Sequence, residues 1–160
     1  MDFVMGCAIL MFILLNFILI WQSLAVRWNL ISDYSQMQTS AYFASESLLA
    51  TPGEPESWEM RAHIDDDVRA LGLVNGRNEL NRVKLEKLVA ENATAYQTIK
   101  ARLGLQRYEF GMRITDLQGN SVYYEFGKFS GGGLNNSLNF QRFGILDENP
   151  VIVHMEVWGR

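Results

Sequence analysis

Few side chains in this sequence are typed and spaced for chemistry. His63 and His154 stand far apart on different elements, so they nominate no nucleophile–base pair, and His154 sits in a strand where a hydrogen-bonded structural role is expected. Asp65-Asp66-Asp67 could give carboxylate oxygens to a hard cation, but the run lacks the spacing and turn glycine of a calcium loop and reads as solvated charge. Gly131-Gly132-Gly133 has no Lys-Ser/Thr after it and opens no helix, which excludes a phosphate loop. Cys7 is the one cysteine, so internal disulfides and cysteine metal clusters are excluded; inside an apolar segment it reads as a small hydrophobe. Two sequons, Asn92-Ala93-Thr94 and Asn135-Asn136-Ser137, are candidate N-glycosylation sites. Asn135 is expected in an exposed loop, and Asn92 in a helix, where it qualifies only if it faces solvent. Asp2 sits at the mouth of a long uncharged stretch. It either rests in interfacial water or, in an apolar helix bundle, needs a partner such as a free α-amino group. These residues call for no cofactor and no metal, and they point away from an enzyme.

The elements that must position them divide sharply. Phe3 to Val26 carries no charge, and every Lys and Arg lies at or beyond Arg27. Those 24 residues make about 36 Å of helix, enough to cross a hydrocarbon core of about 30 Å. A signal peptide would show a basic start, a shorter apolar core and a cleavage site, whereas this chain opens Met-Asp-Phe; a transmembrane helix is the expectation. The other 134 residues are polar and long enough for one core. A net charge of −4 excludes the basic footprint of a nucleic-acid binder.

Past the span, Leu30 or Ile31, Tyr34, Met37, Ala41, Ala44 or Ser45, and Leu48 recur every three or four residues, with no Pro or Gly before Thr51. This predicts one unbroken helix whose second half is amphipathic, ended by Thr51-Pro52-Gly53-Glu54-Pro55. A turn or two of helix is expected near residues 65–71. A further helix is expected over Glu79–Leu103, capped by Asn78 and Gly104, with Lys84, Glu86, Lys87, Glu91, Lys100 and Arg102 on its wet face. Beyond Gly104 the period falls to 2. Strands are expected at Tyr108–Thr115, Val122–Phe126, from Leu138 (slipping at Arg142–Phe143, with a bulge at Gly144) and at Val151–Trp158. The expected fold is α+β: a long N-terminal helix on a head with a second helix and a four-stranded antiparallel sheet. It splits into a transmembrane or filament-core helix (1–26), an amphipathic continuation (27–50) and an extracellular head (51–160).

Met1-Asp2-Phe3-Val4-Met5-Gly6, followed by Ile, Leu and Phe residues, resembles the mature N-terminus of archaeal type IV pilin-like subunits. The string Leu48-Leu49-Ala50-Thr51-Pro52-Gly53-Glu54-Pro55-Glu56-Ser57-Trp58-Glu59, Leu71-Gly72-Leu73 ahead of Leu80–Leu88, and the closing strand ending in Trp158 are similar to the same proteins. The resemblance implies a structural subunit that starts as a single-pass protein of the cytoplasmic membrane and then polymerises with copies of itself, or with other pilin-like subunits, into a surface filament. Its partners would be itself and the membrane, with no nucleic acid. Asp2 and Phe3 would serve assembly, Asp2 by setting register with a neighbour, although it lies nearer the N-terminus than the family's acidic residue. The family's precursors carry a short basic leader, so this numbering is expected to start at or near the mature end, or processing is in question. The alternative is a membrane-anchored extracellular binding protein that does not polymerise.

Overall fold

The structure is a computed structural model that describes residues 2–159 apart from Asp66, Arg77 and residues 132–136; the side chains of Asp2, Val26, Asn29 and Leu30 are also outside the description. The chain divides into two compact units, Met1–Gln36 and Met37–Arg160. Helix α1 (Asp2–Ala50) contributes to both, as expected of a stretch free of Pro and carrying only Gly6.

In the first unit, every described side chain from Phe3 to Ala25 is exposed. Two of its polar members, Asn16 and Ser23, turn back on the helix itself. Asn16 Nδ2 donates to the Phe12 carbonyl at 2.8 Å, and Ser23 Oγ to the Ile20 carbonyl at 2.8 Å. Donors spent on the helix's own carbonyls need no water.

The second unit begins where burial begins. Met37, Ala41, Ala44 and Leu48 are buried at helical spacing, while Tyr34, expected on the same face, is 47% exposed. Leu30, also expected there, falls outside the described side chains. Thr51 Oγ1 returns to the Ser47 carbonyl at 2.7 Å, and the Leu73 amide takes the Leu48 carbonyl at 2.8 Å, so the last turn of α1 is closed by the chain coming back. That return is a small hairpin of β1 (Gly53–Glu54) and β2 (Ala70–Leu71). Between them the helical turn falls at Trp58–Met60, as a 3-10 turn, not at residues 65–71. Trp58 explains the shift: it is fully buried, with its indole N–H on the Gly72 carbonyl at 2.9 Å.

The sheet corrects the expected four antiparallel strands. It has five, in the order β3 (Glu79–Leu80), β6 (Ser137–Leu146), β7 (Asn149–Gly159), β4 (Tyr108–Asp116), β5 (Val122–Gly127), and β3 runs parallel to β6. A two-residue strand shows no period, so nothing local announces it. It docks because the Ile145 amide meets the Asn78 carbonyl at 2.8 Å, and because Gly144 leaves room: a Cβ there would stand 3.2 Å from Leu80 Cδ1.

Gly144 is therefore not a bulge. Strand β6 keeps register with β7 from Ser137 to Leu146, and Arg142 stays on the inner face because it reaches Glu46 of α1 and lies 6.0 Å from the Tyr42 ring centre. The register shift is instead between β4 and β5, at Ile114/Thr115.

The single helix expected over 79–103 is two, α2 (Arg82–Ala90) and α3 (Asn92–Arg102). They part at Glu91, whose buried carboxylate engages another segment, and Asn92, whose Oδ1 accepts the Gly127 amide at 3.1 Å. The cap of α2 is Asn81, accepting the Val83 and Lys84 amides at 2.8 and 3.2 Å; Asn78 has φ 58° and belongs to the turn before β3. Gly104, at φ 71°, follows α3 as expected. Helix residues from Met37 on, α2, α3 and the inner faces of β4 and β7 share one hydrophobic cluster.

Candidate functional site

Two places bring chemistry-bearing or interaction-bearing residues together. The first is the apolar stretch of α1. It is long enough and apolar enough to cross a membrane over Phe3–Ala25. Asp2 opens the helix, where its side chain lies outside the described residues, and Phe3 beside it is 84% exposed.

The second place is the head, where several charges expected on a wet surface are buried. Lys84 is nearly inaccessible; its ammonium donates to the Pro52 carbonyl at 2.7 Å and lies 4.0 Å from Glu59. Lys100 and Glu109 form a buried pair at 3.0 Å, and Glu109 also accepts from Tyr96 Oη at 2.8 Å. Tyr96 stacks on Phe110, with ring centres 5.9 Å apart, so the pair is walled by aromatic surface. Glu91 accepts from the Ile64 amide at 3.4 Å and pairs with Lys87 at 2.7 Å. Burial alone would raise the Glu91 pKa, but the Lys87 hydrogen bond, the Ile64 amide and the Lys87 and His63 charges together hold it below its ordinary value of 4.5. These are ties between segments distant in sequence. The i,i+4 spacings Leu80–Lys84–Leu88 and Tyr96–Lys100 were the available signal, since they align both lysines with buried rows.

The remaining candidates stay apart. His154 Nε2 shares a hydrogen bond with Thr115 Oγ1 at 3.1 Å, as expected of a structural strand histidine. His63 is exposed, 3.7 Å from Glu91. Asp65 Oδ1 accepts the Asp67 amide at 3.1 Å, an internal turn; Asp66 lies outside the described residues. Among the described residues no group of His, Cys, Asp and Glu gathers as for a metal ion. Cys7 is exposed on the apolar helix. Asn92 is half-buried at the start of α3, whereas Asn135, with Gly132 and Gly133, lies outside the described residues.

No family model, curated protein or solved structure matches this chain. Its functional reading therefore rests on its own geometry, of which the exposed apolar half of α1 is the most demanding feature.

Proposed function

We propose that this protein is a structural subunit of an archaeal type IV pilus-like surface filament, held in the cytoplasmic membrane as a single-pass protein and polymerising through its N-terminal helix. The observation that carries the reading is the exposure of apolar side chains on every side of α1 from Phe3 to Ala25, in a helix whose last turns are core of the head. A soluble chain does not leave such a surface in water. Lipid covers it in the membrane, and a sheath of like helices covers it in a filament. Because lipid tails are as apolar as these side chains, transfer between the two is driven by close packing and polar satisfaction rather than by burial. The role is structural, and no reaction is assigned.

Asp2 is the residue through which this reading is tested. Within a bundle, a carboxylate paired with a neighbour's α-amino group gives a directional contact that apolar side chains lack, and its contribution is specificity of register more than net stability. Asp2→Ala removes that contact without raising the cost of lipid insertion. The expected result is an unchanged amount of membrane-held subunit and a clear fall in filaments counted by negative-stain microscopy of sheared surface material. Wild-type filament numbers in the variant overturn the register role of Asp2. A wild-type protein that yields no polymers on shearing, and stays monomeric or dimeric in detergent, overturns the filament and leaves an anchored binding protein.

A further inference from the structure

On the flank of the head, the first turns of α2, the start of β5 and the turn joining β6 to β7 enclose an open groove of about 510 Å³. Its polar and aromatic lining is Arg82, Glu86, Tyr123, Tyr124, Asp147 and Asn149. The volume falls within the usual range of small-molecule sites. Arg82, Glu86, Tyr123, Asp147 and Asn149 lie outside the hydrophobic cluster, against which Tyr124 packs, so the arrangement of the five calls for another explanation.

Two backbone irregularities build the groove. Successive residues of a strand ordinarily point to opposite faces. On β5, however, Ile114 pairs with Tyr124 and Thr115 with Val122, leaving Tyr123 without a partner on β4. That bulge lets two consecutive tyrosines line one groove, and Tyr123 remains 48% exposed there. Bulges re-aim side chains in this way and are frequent beside functional sites. Across the groove, the β6–β7 hairpin turns on Asp147 and Glu148 with φ 49° and 67°. This two-residue turn favours Asn-Gly or Asp-Gly, and a glutamate in the left-handed region is held there at a cost. The turn sets the Asp147 carboxylate 3.4 Å from the Arg82 guanidinium, with Asn149 Nδ2 bracing the Asp147 carbonyl at 2.9 Å. Arg82 Nε in turn donates to Glu86 at 2.8 Å. The result is a preorganised row of carboxylate, guanidinium and carboxylate beside two aromatic rings.

The chemistry of that row selects a ligand class. Arg82 lies between the two carboxylates, which screens them from an incoming cation, while the carboxylates repel a phosphate or sulfate. Acceptors and a forked donor set side by side suit vicinal hydroxyls, which both donate and accept. A tyrosine face beside them suits the apolar C–H face of a sugar ring. The geometry points to a carbohydrate site that takes a neutral hexopyranose, such as the terminal residue of a surface glycan. This is independent of whether α1 polymerises, since every residue involved lies in the second unit.

The test is saturation-transfer NMR on the full-length chain in a detergent without a sugar headgroup, with methyl glucoside, galactoside and mannoside and N-acetylglucosamine as probes. At least one neutral sugar should receive saturation, and Tyr123→Ala and Glu86→Gln should each weaken its binding at least tenfold at unchanged melting temperature. Phe143→Ala, at a residue 76% exposed on β6 and outside the groove lining, should leave it unchanged. No transfer to any neutral sugar, or transfer that survives both groove substitutions or falls equally in Phe143→Ala, overturns the assignment. Binding of charged sugars alone also overturns it.

Discussion

Among the described glycines, Gly72 is the most closely packed. A Cβ built there would stand 2.0 Å from the Thr51 carbonyl oxygen and 2.4 Å from the Gly53 amide, both backbone atoms of the stretch that leads from α1 into β1. Neither can swing aside as a side chain could. Gly72→Ala should therefore cost at least about 3 kcal/mol, the upper end of overpacking effects, read from the denaturation midpoint in detergent. Gly104→Ala is the contrast: at φ 71° with open space around it, its cost should be about 1–2 kcal/mol of backbone strain alone. Glu91 supplies a pH signature. Its folded pKa is lowered, so the stability it contributes is fully present above 4.5 and drains away as pH falls through the folded value. Wild-type melting temperature should drop across that window, and Glu91→Gln, already less stable at pH 7, should drop less; parallel curves would remove Glu91 from the account. The Lys87–Glu91 pair has the i,i+4 spacing that a sequence shows, but the long-range partnerships of these charges do not. Charge on Lys84, Glu91 and Lys100 read as solvent-facing, because their partners at Pro52, Ile64 and Glu109 are set by chain return rather than by helical spacing.

At the scale of elements, what was legible had a period long enough to read. Helix α1 and strands β4, β5 and β7 show 3.6- or 2-residue recurrence over many positions and appear close to their expected bounds. Strand β3 is too short for any recurrence, and the break between α2 and α3 is imposed by contacts of Glu91 and Asn92 with Ile64 and Gly127. Arg142 looked like a slip in β6 because its partner, Glu46, is on another element. The groove was illegible for the same reason: the bulge that turns Tyr123 toward Arg82 is a property of pairing, not of β5 alone. Capping gives an element-scale test. Asn81→Ala removes the acceptor of two orphan amides at the start of α2 and should cost about 1 kcal/mol. Asn78→Gly should cost nothing and can stabilise, because residue 78 sits at φ 58°, where glycine has no Cβ penalty. If the two effects are exchanged, the cap belongs to Asn78 after all.

For the whole molecule, the boundary that matters is set by packing rather than by hydropathy. Apolar character changes near Arg27, but among the described residues the hydrophobic cluster of the head starts at Met37. Chain beyond that point carries all five strands of the main sheet, α2, α3 and the turns of α1 that join the core. Removing residues 1–36 should therefore leave a head that folds by itself. Expected results are a cooperative melt by circular dichroism, retention in the supernatant after ultracentrifugation without detergent, and a single monomeric species. The fragment should also fail to enter filaments when supplied beside the full chain, because the apolar sleeve that packs like with like is gone. Two outcomes would count differently. A fragment that melts without cooperativity or needs detergent means that residues 1–36 belong to the head's core, and the anchor reading fails with it. A soluble, folded fragment that still joins filaments means that the heads carry the polymer contact, which leaves the anchor standing and moves the assembly surface from Phe3–Ala25 to the second unit.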